Sequence, residues 1–212
     1  MAMTYTELKT NIADICENSF TDAQLALFTE QAEQKIYSAV QIPALRKNVT
    51  GRTQADNQYL TVPLSDFLYT YSLAVIDSTG AFTYLLNKDV NFMREAYPIV
   101  ATSGLPKHYA YFSQTSFLLG PTPDIIYDVE LHYGYYPESI VTAGTTWLGN
   151  EFDTALLNGA LVEAIRFLKG EQDMVAMYND LYMQSLILLK NLGDGKLRED
   201  TYRSGQYRTT VQ

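Results

Sequence analysis

With 212 residues, 47% of them hydrophobic and 18% charged, the chain has enough apolar material for a substantial core and too much for a disordered polymer. Its formal charge is −9, and −11 over the first 200 residues, because residues 201–212 hold two basic side chains and no acid. Such an acidic body excludes a protein that grips nucleic acid by neutralising phosphates, and a single cysteine, Cys16, excludes a disulfide framework or a multi-cysteine metal site.

The N-terminal stretch MAMTYTELK has neither a basic region nor an apolar run of the secretory kind. No segment approaches the roughly 20 apolar residues of a membrane span. A soluble protein made in a cytoplasm is therefore expected, without a membrane partner. Two helices follow at once, each with a capping box. Thr4 precedes Glu7 by three residues and Thr21 precedes Gln24 likewise, with Met3/Leu8 and Phe20/Leu25 as the accompanying hydrophobic staples. Leu8, Ile12 and Ile15 mark the apolar face of the first helix, which carries Cys16 as an inert buried thiol; Leu25, Phe28, Ala32, Ile36 and Ala39 mark the second. Pro43 ends the second helix at or shortly before Gln41.

From Gly51 to Gly144 the character changes. Eleven of the seventeen tyrosines lie there, and short aromatic and β-branched runs alternate with period two. Strands are expected over 59–64, 67–76, 81–86, 108–113, 116–120 and 126–136, with DSTG at 77–80 as a hairpin turn and a short helix over 90–97. Helix resumes near Asn150, expected as the cap, with Asp153 at the third helical position. Leu157, Leu161, Ala164, Ile165 and Leu168 form its stripe, and Gly170 stops it. A last helix over 171–192 carries Met174, Met177, Leu181, Ser185, Leu188 and Leu192 in a stripe with the spacing of a packed face, so core packing is expected for it, and it ends at Gly193.

The fold class expected is α+β: a four-helix bundle-like core from 1–50 and 145–192, an inserted Tyr-rich antiparallel β domain at 51–144, and an extended C-terminal tail at 193–212. Catalytic signals are weak. Asp128, Glu130 and His132 alternate along one face of the last strand, which suits a divalent metal or acid–base work but equally the solvated side of a half-buried strand, and the latter reading is preferred. His108 could join them only if its strand adjoins. Nucleophile elbow, phosphate loop, dinucleotide fingerprint and zinc-protease motif are all missing, so no enzyme and no cofactor are expected. Tyr133, Tyr135 and Tyr136, in HYGYYP, are candidates for a subunit or tail interface.

The order TYTELKTNIADIC, TDAQLALFTEQAEQKIYSAVQIPALRKN, an aromatic insert with GLPKHYAYF and ELHYGYYPESI, then WLGNEFDTALLNGALVEAIRFLKGEQDMVAMYNDLYMQSLILLKNL and an Arg/Tyr tail resembles the head-to-tail adaptor (connector) proteins of tailed bacteriophages. The resemblance implies a virion structural protein at the head–tail neck. Twelve copies would form a ring beneath the portal protein, extend the DNA channel without binding the genome specifically, and meet a downstream tail or nozzle protein. It also implies that the C-terminal tail docks on the portal, with Tyr202, Arg203, Tyr207 and Arg208 as the contact residues. The acid excess then keeps passing DNA from sticking, Glu30 and Glu33 being the acids suggested for the channel wall. The competing reading is a Tyr-rich β module that recognises carbohydrate or peptide on a host surface.

Overall fold

The computed structural model describes residues 3–62 and 65–197 of the chain. It is mixed α+β, and it divides into two compact units: Met1–Leu45 with Pro137–Gln212, and the intervening Arg46–Tyr136.

The helical unit starts with α1 (Tyr5–Ile15) and α2 (Asp22–Ala39), and both capping boxes are formed. The Thr4 hydroxyl accepts from the Glu7 N–H at 3.3 Å while the Glu7 carboxylate accepts from the Thr4 N–H at 2.8 Å, and Thr21 and Gln24 repeat the exchange. These bonds satisfy orphan donors of the first turn. Thr4→Ala is expected to cost about 1 kcal/mol, read from urea unfolding followed by the fluorescence of Trp147, the single tryptophan, while Thr4→Ser should retain most of it. A 3-10 turn over Pro43–Leu45 closes the first half of the unit.

The second half holds short α4 (Ile140–Ala143) and α5 (Trp147–Glu151), then α6 (Asp153–Phe167) and α7 (Gln172–Leu197). Two expectations change here. Asn150 is not a cap: Thr146 caps α5, and Phe152, at φ −142° and ψ 46°, breaks the helix so that α6 begins at Asp153 without a side-chain cap bond. Nor does Gly193 end α7. The helix runs through it to Leu197; a β-carbon there would come within 2.6 Å of Ile42 Cγ2 and 2.8 Å of the Gln41 carbonyl oxygen, so the glycine lets the segment that follows α2 approach α7 closely rather than stopping the helix. Leu8, Ile12, Phe28, Ile36, Leu148, Leu156, Leu161 and Leu189 lie in one buried cluster.

The second unit is a sandwich of two four-stranded sheets. One comprises β1 (Arg46–Arg52), β3 (Phe67–Ile76), β4 (Phe82–Tyr84) and β8 (Asp128–Tyr135) in the order β1-β8-β3-β4, all antiparallel. The other comprises β2 (Tyr59–Thr61), β5 (Leu86–Asn87), β6 (His108–Ser113) and β7 (Ser116–Gly120) in the order β2-β7-β6-β5, where β5 pairs with β6 in parallel. Alternation sets the inner faces: Leu73, Val75, Val129, Leu131 and Tyr133 meet Leu60, Tyr109, Phe117 and Leu119 in one core. The DSTG hairpin forms as read, with the Asp77 carboxylate accepting from the N–H groups of Thr79 and Ala81 and Gly80 at φ +85°. The helix α3 (Val90–Ala96), capped by Asp89, packs Met93 against Ala110 and Leu118 on the outer side of the second sheet.

Candidate functional site

The carboxylate–imidazole row on β8 is dispersed into ordinary sheet contacts. Asp128 pairs with Arg52 at 2.8 Å, and the His132 ring lies 5.2 Å from the Tyr71 ring, centroid to centroid. His108 is on β6, in the other sheet, where its Nδ1 shares a hydrogen bond of 2.7 Å with the Tyr97 hydroxyl; burial together with Lys88 and Lys107 pulls its pKa down. The condition that would have joined the two histidines, adjacent strands, is not met. Among the described residues no three His, Cys, Asp or Glu side chains group closely enough to hold a metal ion. Cys16 is half-buried beside Ile15, Leu168 and Met174, and burial pushes its thiol pKa up, away from the reactive thiolate.

The tyrosines of HYGYYP have three different settings. Tyr133 points into the sandwich, 3% exposed, with Phe67 against it and its hydroxyl donating to Asp66 at 3.3 Å. Tyr135 is half-buried under the Lys47 ammonium, 4.0 Å from its ring centroid. Tyr136 alone of the three is exposed, at 39%. Beside them lies a cluster that the sequence did not announce. The register of β3 slips between Phe67 and Tyr69 and again between Thr70 and Ser72, at Tyr71; the hydroxyls of Tyr69 and Tyr71 meet at 2.9 Å, and the Arg46 guanidinium sits 3.9 Å over the Tyr71 ring. The Tyr69 ring rests on Gly134, where a β-carbon would come within 2.7 Å of it. Burial and the Tyr71 hydroxyl push the Tyr69 pKa up to about 12. A glycine within an aromatic strand was the available signal for this close approach.

In the helical unit, Glu33 is buried rather than free to face a channel. Its carboxylate accepts from the Ile140 N–H at 2.9 Å and so holds the start of α4. Burial raises its pKa above the usual carboxylate range. Glu30 remains exposed on the same helix. A second buried acid, Glu163 on α6, is held between Lys35 and Arg166.

The largest departure from the sequence reading concerns α7. Tyr182, Ser185, Leu186 and Leu189 are its buried side, whereas Met174, Met177, Leu181, Leu188 and Leu192, expected to fill the core, are exposed. The helix therefore has a second apolar stripe that is not covered, and Met183 and Ile187 are exposed on a further side of it. Tyr202, Arg203, Tyr207 and Arg208 lie outside the described residues.

Compared with known proteins, residues 3–209 match a family model described as the SU10 adaptor protein. No curated protein matches the chain.

Proposed function

The chain belongs to the SU10 adaptor protein family, bacteriophage structural adaptors, and from that premise we propose that it is a head-to-tail adaptor in the virion neck. On this reading copies of the chain, twelve on the pattern of connector proteins, form a ring beneath the portal protein, and the genome passes through it. The ring offers a platform to a downstream tail or nozzle protein. The observation that carries the reading is the extent of the family match, which spans both units and reaches into the Tyr-Arg tail.

The tail is the proposed portal clip. Arg203 and Arg208 are suited to carboxylates on the portal and Tyr202 and Tyr207 to shallow apolar pockets, the residue types that anchor interfaces. Repeated around a ring, contacts that are individually weak act together. The acidic body supports passage of DNA without adhesion, since like charge repels phosphate. In the β unit, Tyr136 and the Tyr69–Tyr71–Arg46 cluster are the proposed meeting place with a neighbouring subunit or the tail.

Light scattering tests this, with the chain alone and mixed with the portal of the same virus, full-length and stopped after Gly195. Ring-sized mass on the portal is expected for the full chain and its loss for the truncated one. The Arg203→Ala, Arg208→Ala pair should weaken attachment while leaving the far-ultraviolet dichroism unchanged; undiminished attachment would remove the clip. The exposed Tyr69, hydrogen-bonded to the Tyr71 that carries Arg46 over its ring, favours a second reading, a carbohydrate- or peptide-binding module. That reading requires activity as a monomer that ignores the portal.

A further inference from the structure

We infer that the exposed stripe of α7 is a contact between two copies of this chain. The inference rests on the ring reading above for its setting, and on the surface of α7 for its substance. Met174, Met177, Leu181, Leu188 and Leu192 are between 36% and 66% exposed and follow one another at spacings of three, four and seven. On a helix with 100° per residue they line a strip about 100° round from the buried side. Over residues 172–193 the arc that contains both strips holds no charged residue; Asp173, Asp180 and Lys190 all fall on the opposite side. Charge depletion over an apolar centre is the compositional mark of an interface core.

Size and charge together select the occupant. With Ile15 and Leu168, which flank the N-terminal end of the stripe, the surface amounts to roughly 600 Å², at the upper end of the ~300–600 Å² of the largest apolar patch on a monomer and approaching the ~800 Å² that each partner contributes to a stable protein interface. The chain's own last residues are too polar to cover it, since 198–212 supply only Tyr202, Tyr207 and Val211 as apolar side chains. A membrane surface is disfavoured too, because α7 supplies only two lysines, Lys190 and Lys196, too few to meet anionic lipid along the stripe. What remains is protein. Two copies of a chain at −9 repel one another over most of their surface, and this face, whose acids Glu17 and Glu171 are confined to its N-terminal end, lets them approach with little acid set against acid. A helix–helix contact there would bury the methionines, whose flexible side chains fit an irregular groove.

The test uses the full chain with a photoreactive benzoylphenylalanine in place of Leu188, irradiated alone at high concentration and again with the portal. Crosslinked species of twice the chain mass are expected. A product of chain plus portal mass instead, or no copy-to-copy product in either condition, would overturn the inference. In parallel, the Met177→Glu, Leu188→Glu pair should lower the assembled fraction by about tenfold or more at a given concentration. Since both positions are exposed, dichroism and Trp147 fluorescence should stay as in the parent. Rings formed undiminished by that pair would likewise refute the α7 contact and leave the neck reading standing. Copy-to-copy crosslinks from a chain that never engages the portal would have the reverse meaning.

Discussion

Gly149→Val is expected to destabilise the helical unit by about 3 kcal/mol, the upper end of what overpacking costs. A β-carbon at Gly149 would come within 2.5 Å of the Met3 carbonyl oxygen and 2.9 Å of Ile140 Cδ1. Neither neighbour can retreat easily. Met3 is tied by its own N–H to the Gly149 carbonyl at 2.9 Å, Tyr5 N–H is tied to the Gly144 carbonyl, and Ile140 is fully buried. The valine must therefore part the seam between the start of the chain and the segment that returns from the β unit. Thermal unfolding followed by dichroism should show a fall of about 10 °C in the helical transition. A shift of only a degree or two would mean that residues 3–5 yield freely and are not a fixed part of the unit.

The second large effect is expected at Glu33. Truncation to alanine leaves the Ile140 N–H without its partner inside the unit and opens a gap between α2 and α4, at a cost of about 2 kcal/mol. Glu33→Gln keeps an acceptor and removes the charge, and its signature is in the pH dependence. Burial raises the folded-state pKa of Glu33, so over an interval above the ordinary carboxylate value the folded chain holds a proton that the unfolded chain has lost. The stability this contributes is complete below the unfolded value and disappears as pH rises through the raised folded one. Glutamine lacks that slope. Urea midpoints at about pH 4 and about pH 8 should thus show the variant gaining on the parent at the higher pH. Parallel profiles would mean that Glu33 titrates as it does in the unfolded chain.

Several parts of this fold could be read in advance because their causes are local. Thr4 with Glu7, Thr21 with Gln24, and Asp77 with Gly80 act within four residues, and each does in the structure what its spacing predicts. Residues whose role depends on a distant neighbour were not legible in this way. The strand β1 reads RKNVTGR, polar enough to pass for a loop, and is a strand because it pairs along β8 some eighty residues later. The helix α7 presents two stripes of comparable apolarity. Periodicity identifies both as apolar and cannot say which one α6 will cover, and the side that packs is the one with Tyr182 and Ser185 rather than the one with the methionines. Of the candidate site, the sequence offered Tyr133, Tyr135 and Tyr136 without distinguishing the exposed one from the buried, and the Arg46–Tyr71 stack needed the register that brings Arg46 opposite Gly134.

That same register has a consequence for how such proteins diversify. The chain leaves the helical unit at Leu45 and rejoins it at Pro137, and the first and last strands of the intervening unit, β1 and β8, lie side by side with Arg46 opposite Gly134. Antiparallel partners are about 5 Å apart. The two ends of the β unit thus lie only about one strand spacing apart, a gap that a turn of a few residues could span. Ninety-one residues are in effect a cassette: recombination could exchange them for a hairpin or for another sandwich, altering what the virus presents at this point while the capped helices and their N-terminal seam stay unchanged.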